Sequence, residues 1–238
     1  MDTVYTITTL CLLPLIIITL IVGGKVNLTF KRYSQVNSAS GITGAECARR
    51  ILDNAGLYDV KINRVAGNLT DHFDPRTKTI SLSQSVYDNK SVSALGVAAH
   101  EVGHAIQYSE DYAPVKMRSA LVPVCSFTSR FSFPLLLLGL ILEMFLGAGN
   151  VLSGILFFLG VAFYAVYTLF TLITLPVEYN ASNRAREQLL TLGIVSNQDE
   201  RKIKDVLDAA AKTYVMSFAM SLLYLLRYIS IFGRRRND

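Results

Sequence analysis

The sequence predicts an α-helical, multi-pass membrane protein that carries one small α+β domain between its apolar segments. Two observations lead there. Of 238 residues, 51% are hydrophobic and only 17% charged, too apolar for an ordinary soluble domain of this length. The apolar residues also gather in long runs near both ends and in the middle, and between the runs the composition reverts to that of a soluble domain. The net charge is +5, and three of those charges sit in the Arg234-Arg235-Arg236 tail. Nucleic-acid binding is therefore excluded as a function class. Cys11, Cys47 and Cys125 are an odd set without metal-ligand spacing, so no disulfide framework is expected and the soluble part suits a reduced compartment.

Residues 5–22, YTITTLCLLPLIIITLIV, carry no charge and come close to the roughly 20 residues that a spanning helix needs. Asp2 precedes the run without Lys or Arg, and no small-residue cleavage site stands before Lys25. Residues 1–24 are thus expected to be a retained anchor and not a removable signal peptide. Lys25, Lys31 and Arg32 follow at once. Positive flanks stay in the cytoplasm, so the chain should leave the membrane on that side.

Residues 25–117 form the expected domain. Ile42 to Asn54 places Ile42, Ala45, Ala48, Ile51 and Leu52 at helical spacing and ends at Gly56. Val60 to Val65 and Thr79 to Ser83 alternate apolar and polar residues, with Asp74-Pro75-Arg76 as a turn between extended pieces. Ser91 or Ser93 is the expected N-cap of a helix reaching about Tyr108. Residues 118–176 hold two apolar runs, Phe131 to Gly149 and Val151 to Leu175, parted by Gly147-Ala148-Gly149-Asn150. They read as a membrane hairpin whose outer turn lacks positive charge. Residues 177–212 mix charges of both signs. In residues 213–238 an apolar run broken by Arg227 meets the arginine tail, and the positive-inside bias favours an interfacial or re-entrant placement over a span.

Chemistry is carried by Ala99-His100-Glu101-Val102-Gly103-His104 inside the predicted helix. Positions i and i+4 share a helix face, so both imidazoles are able to bind one metal while the intervening glutamate reaches a metal-activated water. Catalytic zinc takes three protein ligands. The longer motif with a third histidine is absent, since Gln107 and Asp111 stand at its later positions. Glu178, in LPVEYNASNR just past the hairpin, is then the better third ligand, and the topology returns it to the side of the histidine helix. His72, Tyr179 and Arg184 are the candidate oxyanion donors. The strand at Thr79 to Ser83 is a candidate edge for pairing with an extended peptide.

Through LTDHFDPRTKTISLS, VAAHEVGHAIQ and LPVEYNASNRA, together with the anchor, the hairpin and the apolar C-terminus, the sequence resembles the YugP-type neutral zinc metallopeptidases of bacterial membranes. It is more distantly similar to HtpX-type membrane zinc peptidases. The resemblance implies a zincin-like, gluzincin-type catalytic domain at the cytoplasmic membrane surface. It implies His100, His104 and Glu178 as ligands of one zinc per chain, and Glu101 as catalytic base. Ser182 stands where the HtpX-type pattern has an aspartate that supports a histidine, and Asn180 or Ser182 is expected to supply that hydrogen bond.

The expected function is zinc-dependent endoproteolysis of membrane proteins or membrane-associated peptides, with the bilayer and the peptide as partners. The alternative is a catalytically silent zinc-binding membrane adaptor. An intramembrane site is disfavoured by Asp88-Asn89-Lys90 and Glu110-Asp111, which flank the motif with charge. Oligomeric state is not legible in the sequence.

Overall fold

The computed structural model describes residues 3–147 and 149–235. These form α1 (Thr3–Tyr33), α2 (Gly44–Asn54), β1 (Lys61–Val65), β2 (His72–Asp74), β3 (Thr79–Ser83), α3 (Gln84–Tyr87), α4 (Val92–Ser109), α5 (Ala113–Leu146), α6 (Val151–Thr191) and α7 (Asn197–Arg235). Among the described residues, α1, α5, α6 and α7 are long and apolar enough to cross a membrane. Each outlasts its apolar run. α1 continues through Lys25 to Tyr33, α5 passes Pro123, Arg130 and Pro134, and α6 passes Pro176 to reach Thr191. Charge changes a helix's solvent but not its backbone ladder, and a proline removes a single N–H donor.

Two compact units emerge. The first gathers α1 up to Ile21, Met117–Thr174 and α7 from Tyr214 onward. Its helices meet at small residues. A Cβ added at Gly160 would lie 2.8 Å from the backbone nitrogen of Leu136, and one added at Gly139 would lie 2.8 Å from that of Phe157. Ser132 Oγ donates to the Gly160 carbonyl at 2.9 Å, and the hydroxyls of Thr171 and Ser221 lie 3.0 Å apart. Helices in lipid lack a hydrophobic drive to associate, and close backbone approach plus buried hydroxyl bonds supply the attraction instead.

The apolar C-terminal run, expected at the interface, is the second half of α7 and part of this unit. Arg227, which interrupts it, donates to Thr9 Oγ1 at 2.6 Å and to the Tyr5 hydroxyl at 3.3 Å, with its guanidinium 4.7 Å over the Tyr5 ring. Polar atoms of α1 thus receive the charge. Arg236, the last of the arginine tail, lies outside the described residues.

The second unit comprises Val22–Lys116 and Leu175–Thr213. Thr43 and Glu46 cap α2 reciprocally: Thr43 N donates to Glu46 Oε2 at 2.8 Å, and Glu46 N donates to Thr43 Oγ1 at 3.2 Å. Gly56 stops the helix with φ +73°. The sheet has the order β1-β3-β2. β1 runs parallel to β3 with Lys61 opposite Thr79, and β2 antiparallel with His72 opposite Ser81. Every residue of β3 is buried.

The expectation that Thr79 to Ser83 offers a free edge to a peptide is therefore corrected. β3 is the central strand, with β1 and β2 hydrogen-bonded on either side, and its Ser83 amide is taken by Asp71 Oδ1 at 2.7 Å. The free edges belong to β1 and β2. Ile51, Leu52, Ile80, Leu82, Leu95 and Ile203 are fully buried in one continuous core beneath the sheet-side helices.

Gly160→Ala should lower the thermal unfolding midpoint of the detergent-solubilised protein, because overpacking of this kind costs about 1–3 kcal/mol. Gly154→Ala, on the same helix but with nothing within 4 Å of its added Cβ, should leave the midpoint unchanged or raise it.

Candidate metal centre

α4 starts where Ser91 Oγ accepts from the Ala94 amide at 3.3 Å. The loop between α1 and α2 fastens the first turn of α4, with the Val92 amide donating to the Val36 carbonyl at 2.8 Å. One turn apart on the helix, His100 and His104 stand edge to face with ring centroids 4.7 Å apart. α6 crosses α4 at Gly103, where an added Cβ would fall 2.5 Å from the Ala181 carbonyl oxygen. Only a glycine permits this approach. It delivers Glu178 Oε2 to 3.3 Å from His100 Nε2 and 3.6 Å from His104 Nε2.

A buried amide orients the second histidine. Gln107 is fully buried, and its Nε2 donates to the Val177 carbonyl at 2.8 Å and to Asn180 Oδ1 at 2.9 Å. Its Oε1 consequently faces His104 Nδ1 at 3.0 Å and accepts from it. In the neutral ring the lone pair is then on Nε2, directed at the same point as Glu178 Oε2. His100 Nδ1 is 3.2 Å from Ser182 Oγ. The chain of contacts continues outward, with Arg184 donating from Nε to Asn180 Oδ1 at 2.8 Å and pairing with Glu110 at 2.7 Å. That bond to Arg184 holds the Glu110 carboxyl below the usual range.

Electrostatics favour a bound cation. Burial disfavours an imidazolium at His104, yet the carboxylates of Glu178 and Glu101 outweigh it and raise the pKa. Glu101 is 8% exposed. Burial pushes its carboxyl up, opposed by the two histidines and reinforced by Glu178 and Asp71.

The donor set fits zinc. Two imidazole nitrogens and a carboxylate oxygen all lie within 4.8 Å of one another. The separations of 3.3 and 3.6 Å match the edge of a tetrahedron with bonds of about 2.0–2.2 Å, which is about 3.3–3.6 Å. Among the described residues no other group of three His, Cys, Asp or Glu side chains comes together in this way.

Of the other residues singled out in the sequence, Ser182 meets His100 directly, and Asn180 reaches His104 through Gln107. His72 is exposed on β2, its Nδ1 2.9 Å from the Thr70 carbonyl, and does not join the cluster. Tyr179 is exposed next to Glu178. Gln107 and Gly103 were not read as contributors, although Gln107 stands three residues past His104, on the same helix face.

Removing Gln107 should loosen the site without dissolving it. Gln107→Ala is expected to weaken zinc binding about 10–100-fold, read by competition with a chelating dye. Gln107→Glu, which keeps an acceptor for His104, should lose less.

Residues 8–233 match a protein family described as "Putative neutral zinc metallopeptidase". A protein of Bacillus subtilis (strain 168) named "Putative membrane protease YugP" is 45% identical over 214 residues, which is 90% of this chain and 91% of that protein. No solved structure gives a significant match. The family match spans the histidine helix, Glu178 and the bulk of all four long helices at once, and the chain belongs to this neutral zinc metallopeptidase family.

Proposed function

We propose that the protein is a membrane-anchored zinc endopeptidase, holding one zinc per chain through His100, His104 and Glu178 and cleaving membrane proteins or membrane-associated peptides. The observation that carries the reading is the convergence of those three donors beside a buried carboxylate, Glu101. It is a zincin-like arrangement of the gluzincin type.

Bound there, zinc supplies a Lewis acid that polarises the scissile carbonyl and lowers the pKa of water towards about 7. The rest falls to the chain. Glu101, with its carboxyl raised by burial, takes a proton from the attacking water and passes it to the leaving amine. Gln107 and Ser182 hold the two imidazoles in register. Tyr179 and His72 are the proposed oxyanion donors, since Arg184 is engaged by Glu110 and Asn180. β1 and β2 have the open edges, since β3 is paired on both sides, and β2 is the one suited to an extended substrate because it packs against α4, the helix of the two histidines.

Membrane-linked substrates are favoured by position. Glu178 follows the apolar run of α6 by three residues on one unbroken helix. The cytoplasmic side is favoured by charge. Lys25, Lys31 and Arg32 extend α1 past its apolar run, while the turn between α5 and α6 has no Lys or Arg.

The test compares wild type with Glu101→Gln, both purified in detergent, for zinc content by mass spectrometry and for cleavage of unfolded casein and of a solubilised membrane-protein panel. Both should carry zinc, and the variant should lose about 10²–10⁴-fold in hydrolysis. Equal cleavage by both would remove Glu101 from the reaction. Zinc without cleavage in wild type would mark a silent adaptor.

A further inference from the structure

A second polar feature lies away from the metal centre, between α1 and α7. There a pocket of about 270 Å³ is lined on one side by Lys25, Arg32 and Tyr33, and on the other by Asp205, Asp208 and Lys212. The volume falls just below the roughly 300–1,000 Å³ of small-molecule pockets, which suits a headgroup and not a whole lipid.

Its charge is unbalanced once the internal bonds are assigned. Asp208 is paired with Lys204, and Asp205 accepts from the Tyr33 hydroxyl at 2.8 Å. Among the described residues Lys25, Arg32 and Lys212 form no salt bridge, although a carboxylate lines the same pocket. All three are exposed. Three cations therefore face one carboxylate that lacks a cation of its own, and the pocket has spare capacity for an anion.

Its place along the chain says which anion. Val22, at the pocket's rim, is the last residue of the uncharged run that begins at Tyr5. Lys212 comes two residues before the apolar part of α7 that starts at Tyr214. Lys25 and Lys212 fall within one turn of the hydrocarbon-compatible segments, which is the level of lipid phosphates, and Arg32 stands two turns further along α1, on the water side of that level. Basic pockets between membrane helices at that level are suited to anionic headgroups.

We propose that Lys25, Arg32 and Lys212 form a binding site for the phosphate of an anionic phospholipid headgroup. The bound lipid bridges α1 and α7 within the second unit.

Native mass spectrometry of the full chain in detergent, titrated with dioleoylphosphatidylglycerol, tests this. One lipid per chain should bind in preference to dioleoylphosphatidylcholine, and millimolar inorganic phosphate should not displace it. Lys25→Gln/Arg32→Gln/Lys212→Gln should weaken binding about a hundredfold, from a factor of about five per cation. The equally charge-reduced control Lys61→Gln/Arg76→Gln/Lys90→Gln should bind as wild type does. Each single substitution at the pocket is read as well, so that a poorly folding triple variant does not void the result. The proposal is overturned if the pocket variants and the control lose equally, if phosphatidylcholine binds as tightly, or if free phosphate displaces the lipid.

Discussion

The candidate site depends on one close approach, that of α4 and α6 at Gly103. Without a side chain there, the helix carrying both histidines lies against the Ala181 carbonyl, and the rest of the geometry follows from that spacing. Glu178 is one turn before Ala181 and meets both imidazoles, while Ser182, the next residue, meets His100. Gln107, one turn after Gly103, has its amide within reach of both Val177 and Asn180. A side chain at position 103 would separate all of these pairs together. The absence of a side chain at this position does not tune one contact; it sets the register of two helices.

Long unbroken helices make that register rigid. α6 runs for 41 residues, about 60 Å at 1.5 Å per residue, twice what a hydrocarbon core of about 30 Å requires. One continuous ladder therefore holds both an apolar segment and the third candidate ligand, with no loop between to absorb error. α4 is fixed differently, by its Ser91 cap, by the backbone bond from Val92 to Val36, and by a face of Ala98, Ala99 and Val102 that is fully buried. A site built on rigid elements from both directions holds its donors at the few tenths of an ångström that metal geometry demands.

How much of this was legible in the sequence varies with the range of the interaction that decides each feature. His100, Glu101 and His104 were legible because helical periodicity is local, and Glu178 because a hairpin of known length had to return the chain to the same side. The Gly56 stop is a local signal too. The strand order was not. The parallel pairing of β1 with β3, and the insertion of β3 between its neighbours, depend on contacts between segments that alternate equally well in any order. Hydropathy marks where an apolar run stops but not where its helix stops, and α1 and α6 continue past Lys25 and Pro176. Arg227 interrupts the last apolar run in the sequence, and its partners on α1, Tyr5 and Thr9, are about two hundred residues away and give no local signal. Gln107 carried a position but no chemistry until Val177 and Asn180 appeared opposite it.

The most direct test of the account is the zinc content of the detergent-purified full chain, wild type beside Glu178→Ala and His104→Ala. The three-donor centre predicts about one zinc per wild-type chain and a loss or marked weakening in both variants. Zinc retained undiminished in Glu178→Ala would contradict the assignment of the third ligand. A wild-type chain that takes up no zinc even on reconstitution would contradict the account as a whole.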